Sequence, residues 1–135
     1  MIIHVPNKNT LIIDDFKFRC CVGKRGIKSN KKEGDYSTPK GLFDLRKLYF
    51  RKDRVDIPNC KINKKTIKRD MAWCDDQKDM KYNEEIKTSN KKLKEHLHRK
   101  DHKYDYVISI SHNEKKKDFE ILLKLIDKKT KIKIG

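Results

Sequence analysis

The stretch Tyr104-Asp105-Tyr106-Val107-Ile108-Ser109-Ile110-Ser111 decides the fold class. It puts Tyr104, Tyr106, Ile108 and Ile110 on one face and Val107 on the other, and a two-residue period becomes a face only in extended backbone. Aromatic and β-branched side chains fill it, as a pleated surface prefers. Working outward, the same reading recurs. Ile2–Val5 and Thr10–Asp14 flank the turn residues Asn7-Lys8-Asn9 and predict two strands. Phe16-Lys17-Phe18-Arg19-Cys20-Cys21-Val22 opens in alternation and predicts a third. Leu42–Phe50 reads as extended with Phe43 and Leu45 on one face, and Thr130-Lys131-Ile132-Lys133-Ile134 as a closing strand. Strands are therefore expected near residues 2–5, 10–14, 16–22, 42–46, 104–111 and 130–134.

The period changes after this strand. Phe119, Leu122, Leu123 and Ile126 follow an i, i+3, i+4, i+7 pattern, which predicts one helix over 118–127 with Asp118 as N-cap. A shorter helix is expected over Asn90–His98, capped by Asn90. Gly23–Pro39 reads as a polar loop, Lys52–Arg69 as irregular and basic, and Asp70–Tyr82 as a loop holding the only Trp, Trp73. Together these give a mainly β domain with one C-terminal helix.

At 135 residues the chain has the length of one domain. Its 15 Ile, nine Leu, five Phe and five Tyr suffice for a small core. No apolar run approaches the ~20 residues that span a bilayer, and the first residues lack the basic and apolar regions of a signal peptide. The 36 Lys and Arg against 20 Asp and Glu leave a net charge of +16, which invites an anionic partner. The split argues against base reading: 29 are Lys and seven Arg, and Arg supplies the bidentate fork that nucleic-acid recognition favours. No RRM-type, helix-turn-helix or zinc-finger pattern accompanies the charge. Much of it reads as a solvated lysine surface.

The four cysteines, Cys20, Cys21, Cys60 and Cys74, include no C-x-x-C pair, so zinc-ribbon spacing is absent; two disulfides in any of three connectivities would suit an exported chain, and without an export signal free thiols are expected. His96, His98 and His102 with Glu95 and Asp101 form a weak metal-ligating pattern, read instead as a polar helix end and loop. No metal and no cofactor is expected.

Four segments then carry a resemblance. Glu33-Gly34-Asp35-x-x-Thr38-Pro39-x-Gly41-x-Phe43, Tyr49-Phe50-Arg51-x-Asp53-Arg54, Trp73-Cys74-Asp75-Asp76 with Tyr82-Asn83, and Arg99-x-Asp101-x-x-Tyr104-Asp105-x-Val107-Ile108 with Asn113 resemble, in order and spacing, motifs of the L,D-transpeptidase (YkuD-like) catalytic-domain family. The resemblance covers about residues 1–113. It implies a mixed β-sandwich at the cell envelope and acyl transfer on peptidoglycan stem peptides. In that chemistry a cysteine thiolate, made nucleophilic by a nearby His, takes the acyl group while backbone N–H groups hold the oxyanion. Thr38-Pro39-x-Gly41 reads as loop architecture rather than substrate contact.

The family's nucleophile segment, a strand ending in His followed by a Gly-Cys motif, has no counterpart here. Ser111-His112-Asn113 runs directly into Glu114-Lys115-Lys116-Lys117, no Cys follows Cys74, and no Gly lies between Gly41 and Gly135. An apparent deletion at the 113/114 junction, genuine or a sequence artefact, leaves the expected core incomplete. The only fallback pair is Cys74 with His112, and Cys74 sits beside two carboxylates that disfavour a thiolate. The chain is thus expected to be an inactive L,D-transpeptidase-like domain spanning 1–135. The alternative is a non-enzymatic basic protein that binds an anionic cell-wall polymer or nucleic acid.

Overall fold

The computed structural model describes residues 1–88, 95–112 and 130–135. The described chain is mainly β and forms two compact units. The first takes its residues from Met1–Leu45 and Ile110–Gly135, the second is Arg46–Ser109.

The first unit is a mixed sheet of β1 (Ile2–Asn7), β2 (Thr10–Ile13), β3 (Phe16–Arg19), the first half of β6 (Gly41–Phe50) and β12 (Lys131–Ile134), ordered β6-β12-β1-β2-β3. Strands β1, β2 and β3 form an antiparallel meander, because the short turns Lys8-Asn9 and Asp14-Asp15 permit no other pairing. Asp14 absorbs the second turn at φ 50°. Strand β12 returns to pair parallel with β1, Ile2 to Val5 against Lys131 to Ile134, and antiparallel with β6. The register lines Phe43, Ile132, Ile3, Ile13 and Phe16 into one apolar row across five strands. The opposite face carries Leu42, Lys133, His4, Ile12 and Lys17. Val5, Leu45 and Ile134 are buried, whereas the apolar row opens to solvent at Phe16. A short parallel pair, β4 (Ile27–Lys28) and β5 (Thr38–Pro39), ties the Gly23–Pro39 loop.

In the second unit the latter half of β6 lies between β11 (Tyr106–Ile110) and β7 (Lys64–Thr66), the latter pairing parallel through Leu48, Tyr49 and Phe50. A separate antiparallel sheet has the order β10-β8-β9, from β8 (Met71–Trp73), β9 (Glu85–Lys87) and β10 (Glu95–His96). Tyr49, Ile67, Met71 and Leu97 form the core, with Trp73, Tyr104 and Val107 packed on it. Val107 therefore points inward, and Tyr106 and Ile108 face solvent.

Several expectations change. The strand expected over 16–22 ends at Arg19, and the Lys52–Arg69 stretch read as irregular contains β7. Asp70–Tyr82 is not loop throughout: Met71–Trp73 is a strand, bonded on both sides. The helix expected over Asn90–His98 fails at its end, where Glu95 and His96 pair with Trp73 and Ala72. Burial of Leu97 in the core and the ladder that β8 offers outweigh the local helical pattern. Residues 90–94, and the helix expected over 118–127, lie outside the described residues.

Candidate functional site

The Glu33–Phe43 segment is built around Asp35. One carboxylate oxygen accepts from the Ser37 hydroxyl at 2.6 Å, the Ser37 N–H at 2.9 Å and Lys31 Nζ at 3.2 Å. The other accepts from the Lys32 N–H at 2.8 Å. These donors, Ser37 Oγ foremost, hold the Asp35 carboxyl well below the usual carboxylate range. Thr38 Oγ1 accepts from the Gly23 N–H at 2.7 Å, and the Arg25 N–H donates to the Tyr36 carbonyl at 2.9 Å. Gly23 is required there: a Cβ would stand 2.4 Å from the Tyr36 oxygen. The Thr38 hydroxyl closes the loop, and the Thr38-Pro39 backbone lies in β5.

His112 belongs to this first unit. Its ring meets Phe43 edge-on at 5.6 Å between centroids. Burial pushes the imidazole below its usual range, with Lys31 acting the same way and Glu33 opposing. Beside it the Asp44 N–H donates to Ser111 Oγ at 2.9 Å.

In the second unit two motif segments interlock. Arg51 donates from Nε and Nη2 to the two oxygens of Asp53 at 2.8 and 2.7 Å, and from Nη1 to the Arg99 carbonyl at 2.6 Å. Arg54 donates to the carbonyls of Arg99, Lys100 and Asp101 at 2.9, 2.8 and 2.6 Å, and to Asp105 Oδ1 at 3.2 Å. Arg99 closes a bidentate pair on Asp101, and His102 Nδ1 lies 2.7 Å from Asp105 Oδ2. The Arg51 fork lowers Asp53 to about 2. Asp101 is held well down chiefly by Arg99, and Asp105 by His102 and then Arg54. The sequence reading holds Arg51, Arg54 and Arg99 only as motif positions, and the carbonyls that Arg51 and Arg54 grip have no signature in side-chain spacing.

The Trp73–Asn83 segment is the hairpin connection between β8 and β9. Trp73 Nε1 donates to Asn83 Oδ1 at 3.0 Å, and Asn83 takes φ 61°. The Cys74 N–H donates to the Glu84 carbonyl at 2.9 Å, and the Cys74 carbonyl accepts from the Asn83 N–H at 2.8 Å. Cys74 is 0% exposed, packed with Ala72 and Ile86. Of the fallback pair, Cys74 lies in the second unit, sealed, and His112 in the first. Cys21 is the exposed thiol, and all four cysteines are free.

His96 lies in β10, His98 is half-buried, and His102 is engaged with Asp105. Among the described residues no group of three or more His, Cys, Asp or Glu is arranged to hold a metal ion, and no helix is long and apolar enough to cross a membrane. No protein-family model, no curated protein and no solved structure matches the chain.

Proposed function

We propose that this chain is a non-catalytic member of the L,D-transpeptidase fold family, keeping the scaffold of an enzyme that acts on peptidoglycan stem peptides without its cysteine chemistry. The observation that carries this reading is the interlock of Arg51 and Arg54 with the carbonyls of Arg99, Lys100 and Asp101. Two of the resembling segments, 48 residues apart at Arg51 and Arg99, are structural partners, as segments of one inherited scaffold would be. The burial of Cys74 supports the loss of activity, since a thiolate must reach its acyl donor.

A tetrapeptide stem donor with an amine acceptor tests the first half: no release of D-Ala above a boiled control is expected, and release abolished by Cys74→Ser overturns it. Inserting the His and Gly-Cys segment of an active member between Asn113 and Glu114 tests the second half. A folded chimera that turns over supports the scaffold reading, and a folded, silent chimera counts against it.

A second reading, non-enzymatic binding of an anionic cell-wall polymer or nucleic acid, draws on the net charge of +16 and on the sheet face that bears Lys17, His4 and Lys133 in one row. Steep salt dependence of polyanion binding, reduced by Lys17→Glu and Lys133→Glu together, would favour it.

A further inference from the structure

Strand β3 ends the sheet order of the first unit, and among the described residues it pairs with β2 alone. All four of its residues are exposed, Phe16 by 69% and Phe18 by 52%. Its free edge can be assigned group by group. Thr10 opposes Arg19, Leu11 opposes Phe18, Ile12 opposes Lys17 and Ile13 opposes Phe16. The Cys20 N–H donates to the Asn9 carbonyl at 3.1 Å. An antiparallel ladder alternates bonded and non-bonded pairs, so Phe18 and Phe16 also face β2 with their backbone groups. The N–H and C=O groups of Lys17 and Arg19 therefore point away from the sheet. The side chains divide the other way: Phe16 extends the apolar row of Ile3 and Ile13, Phe18 stands on the same face opposite Leu11, and Lys17 and Arg19 stand on the opposite face.

From this we infer that β3 is a docking edge for an extended peptide that adds as an antiparallel strand, with acidic residues opposite Lys17 and Arg19 and apolar residues opposite Phe16 and Phe18. Four outward backbone groups supply the ladder, and the alternating side chains supply selectivity. Charge complementarity chooses the occupant. A second copy paired on this edge about a two-fold axis would set Lys17 against Arg19, or Lys17 against itself, between molecules of net charge +16. An alternating acidic and apolar strand meets opposite charge on one face and covers exposed phenylalanine on the other. Lysine on an edge also discourages indiscriminate pairing, which leaves the edge selective rather than adhesive.

The experiment uses the full chain and a fluorescent, capped hexapeptide of alternating Glu and Ile, read by anisotropy. Saturable binding is expected, with no binding of the matching Lys and Ile peptide. Lys17→Glu should weaken binding by about five- to tenfold. Lys17→Pro should abolish it while leaving the β2 ladder in place, because the N–H it removes faces outward. Two methylated peptides keep the test independent of that variant's folding. N-methylation at the Glu residues, whose backbone pairs with Lys17 and Arg19, should abolish binding to the unaltered chain. N-methylation at the Ile residues, whose amides face away, should leave it intact. Binding that ignores Glu methylation overturns the inference in favour of simple charge attraction. A dimer in sedimentation that Lys17→Pro dissociates overturns it in favour of a second copy.

Discussion

The Arg51 guanidinium and the Asp53 carboxylate, two positions apart, meet through two parallel hydrogen bonds of 2.8 and 2.7 Å, the arginine side chain 3% exposed and the aspartate side chain 55%. A buried cation is made tolerable by a carboxylate that still faces water and by the Arg99 carbonyl on its third side. Arg51→Met should lower stability by about 1.5–3 kcal/mol, the usual loss for hydrogen bonds to a charged group, read as a shift in urea midpoint. Arg51→Lys should recover only part of this, having no planar fork. In Arg51→Met the Asp53 carboxyl should titrate near its ordinary value instead of about 2, which a carbon-detected NMR titration would report.

The carboxylates set the acid limit. Asp35, Asp53, Asp101 and Asp105 are all lowered in the folded chain. In the unfolded chain they bind protons near pH 4, so their stabilisation is fully present above that pH. It is lost as pH falls through the folded values, about 2 for Asp53. Thermal midpoints should therefore fall steeply between about pH 4 and pH 2. A flat profile across that window would show that these pairs do not contribute.

His112 adds a separate, higher step. Its folded value is lowered, so below about pH 6.5 the unfolded chain takes up the proton first and stability declines as pH drops. His112→Phe, which retains a ring against Phe43, should flatten the profile just below about pH 6.5 without altering the carboxylate limb. Midpoints measured at half-unit intervals would separate the two.

Gly23→Ala should be costly although it adds one methyl group. The new Cβ would meet backbone, the Tyr36 oxygen at 2.4 Å and the Ser37 carbonyl carbon at 2.7 Å, and neither can swing aside. Overpacking of this kind costs about 1–3 kcal/mol, and the displaced Gly23 N–H would also release Thr38 Oγ1. Thr38→Val, which keeps the shape and removes only the acceptor, should cost about 1 kcal/mol. Equilibrium unfolding of the two variants would rank them.

Thiol labelling should follow burial. Cys21 should react at once with a disulfide reagent in the native chain, and Cys74 should react only as fast as the second unit opens. Mass mapping of the labelled peptides would check this. Rapid native labelling at Cys74 would show that its hairpin is open in solution.

Local pattern determined the framework of strands. Residues 2–5, 10–14, 16–22 and 104–111 read as strands from their own side chains and the turn residues that bound them, and the structure has β1, β2, β3 and β11 there, the third ending at Arg19 and the last running from Tyr106 to Ile110. The Leu42–Phe50 reading likewise matches β6. Strands β4, β5, β7, β8, β9 and β10 were not legible, because elements of two or three residues are too short to display a period. Tertiary structure alone decided them: Glu95 and His96 are a strand because Trp73 and Ala72 offer a ladder, and the burial of Leu97 just beyond holds them there. The candidate site divides similarly. Cysteine positions and the Arg and Asp spacing could be read from the chain, but not that Cys74 is sealed, that Asp35 collects four donors, or that Arg51 and Arg54 grip carbonyls at 99–101. Burial and backbone partners depend on segments distant along the chain, and a linear sequence encodes them only through the packing that brings those segments together.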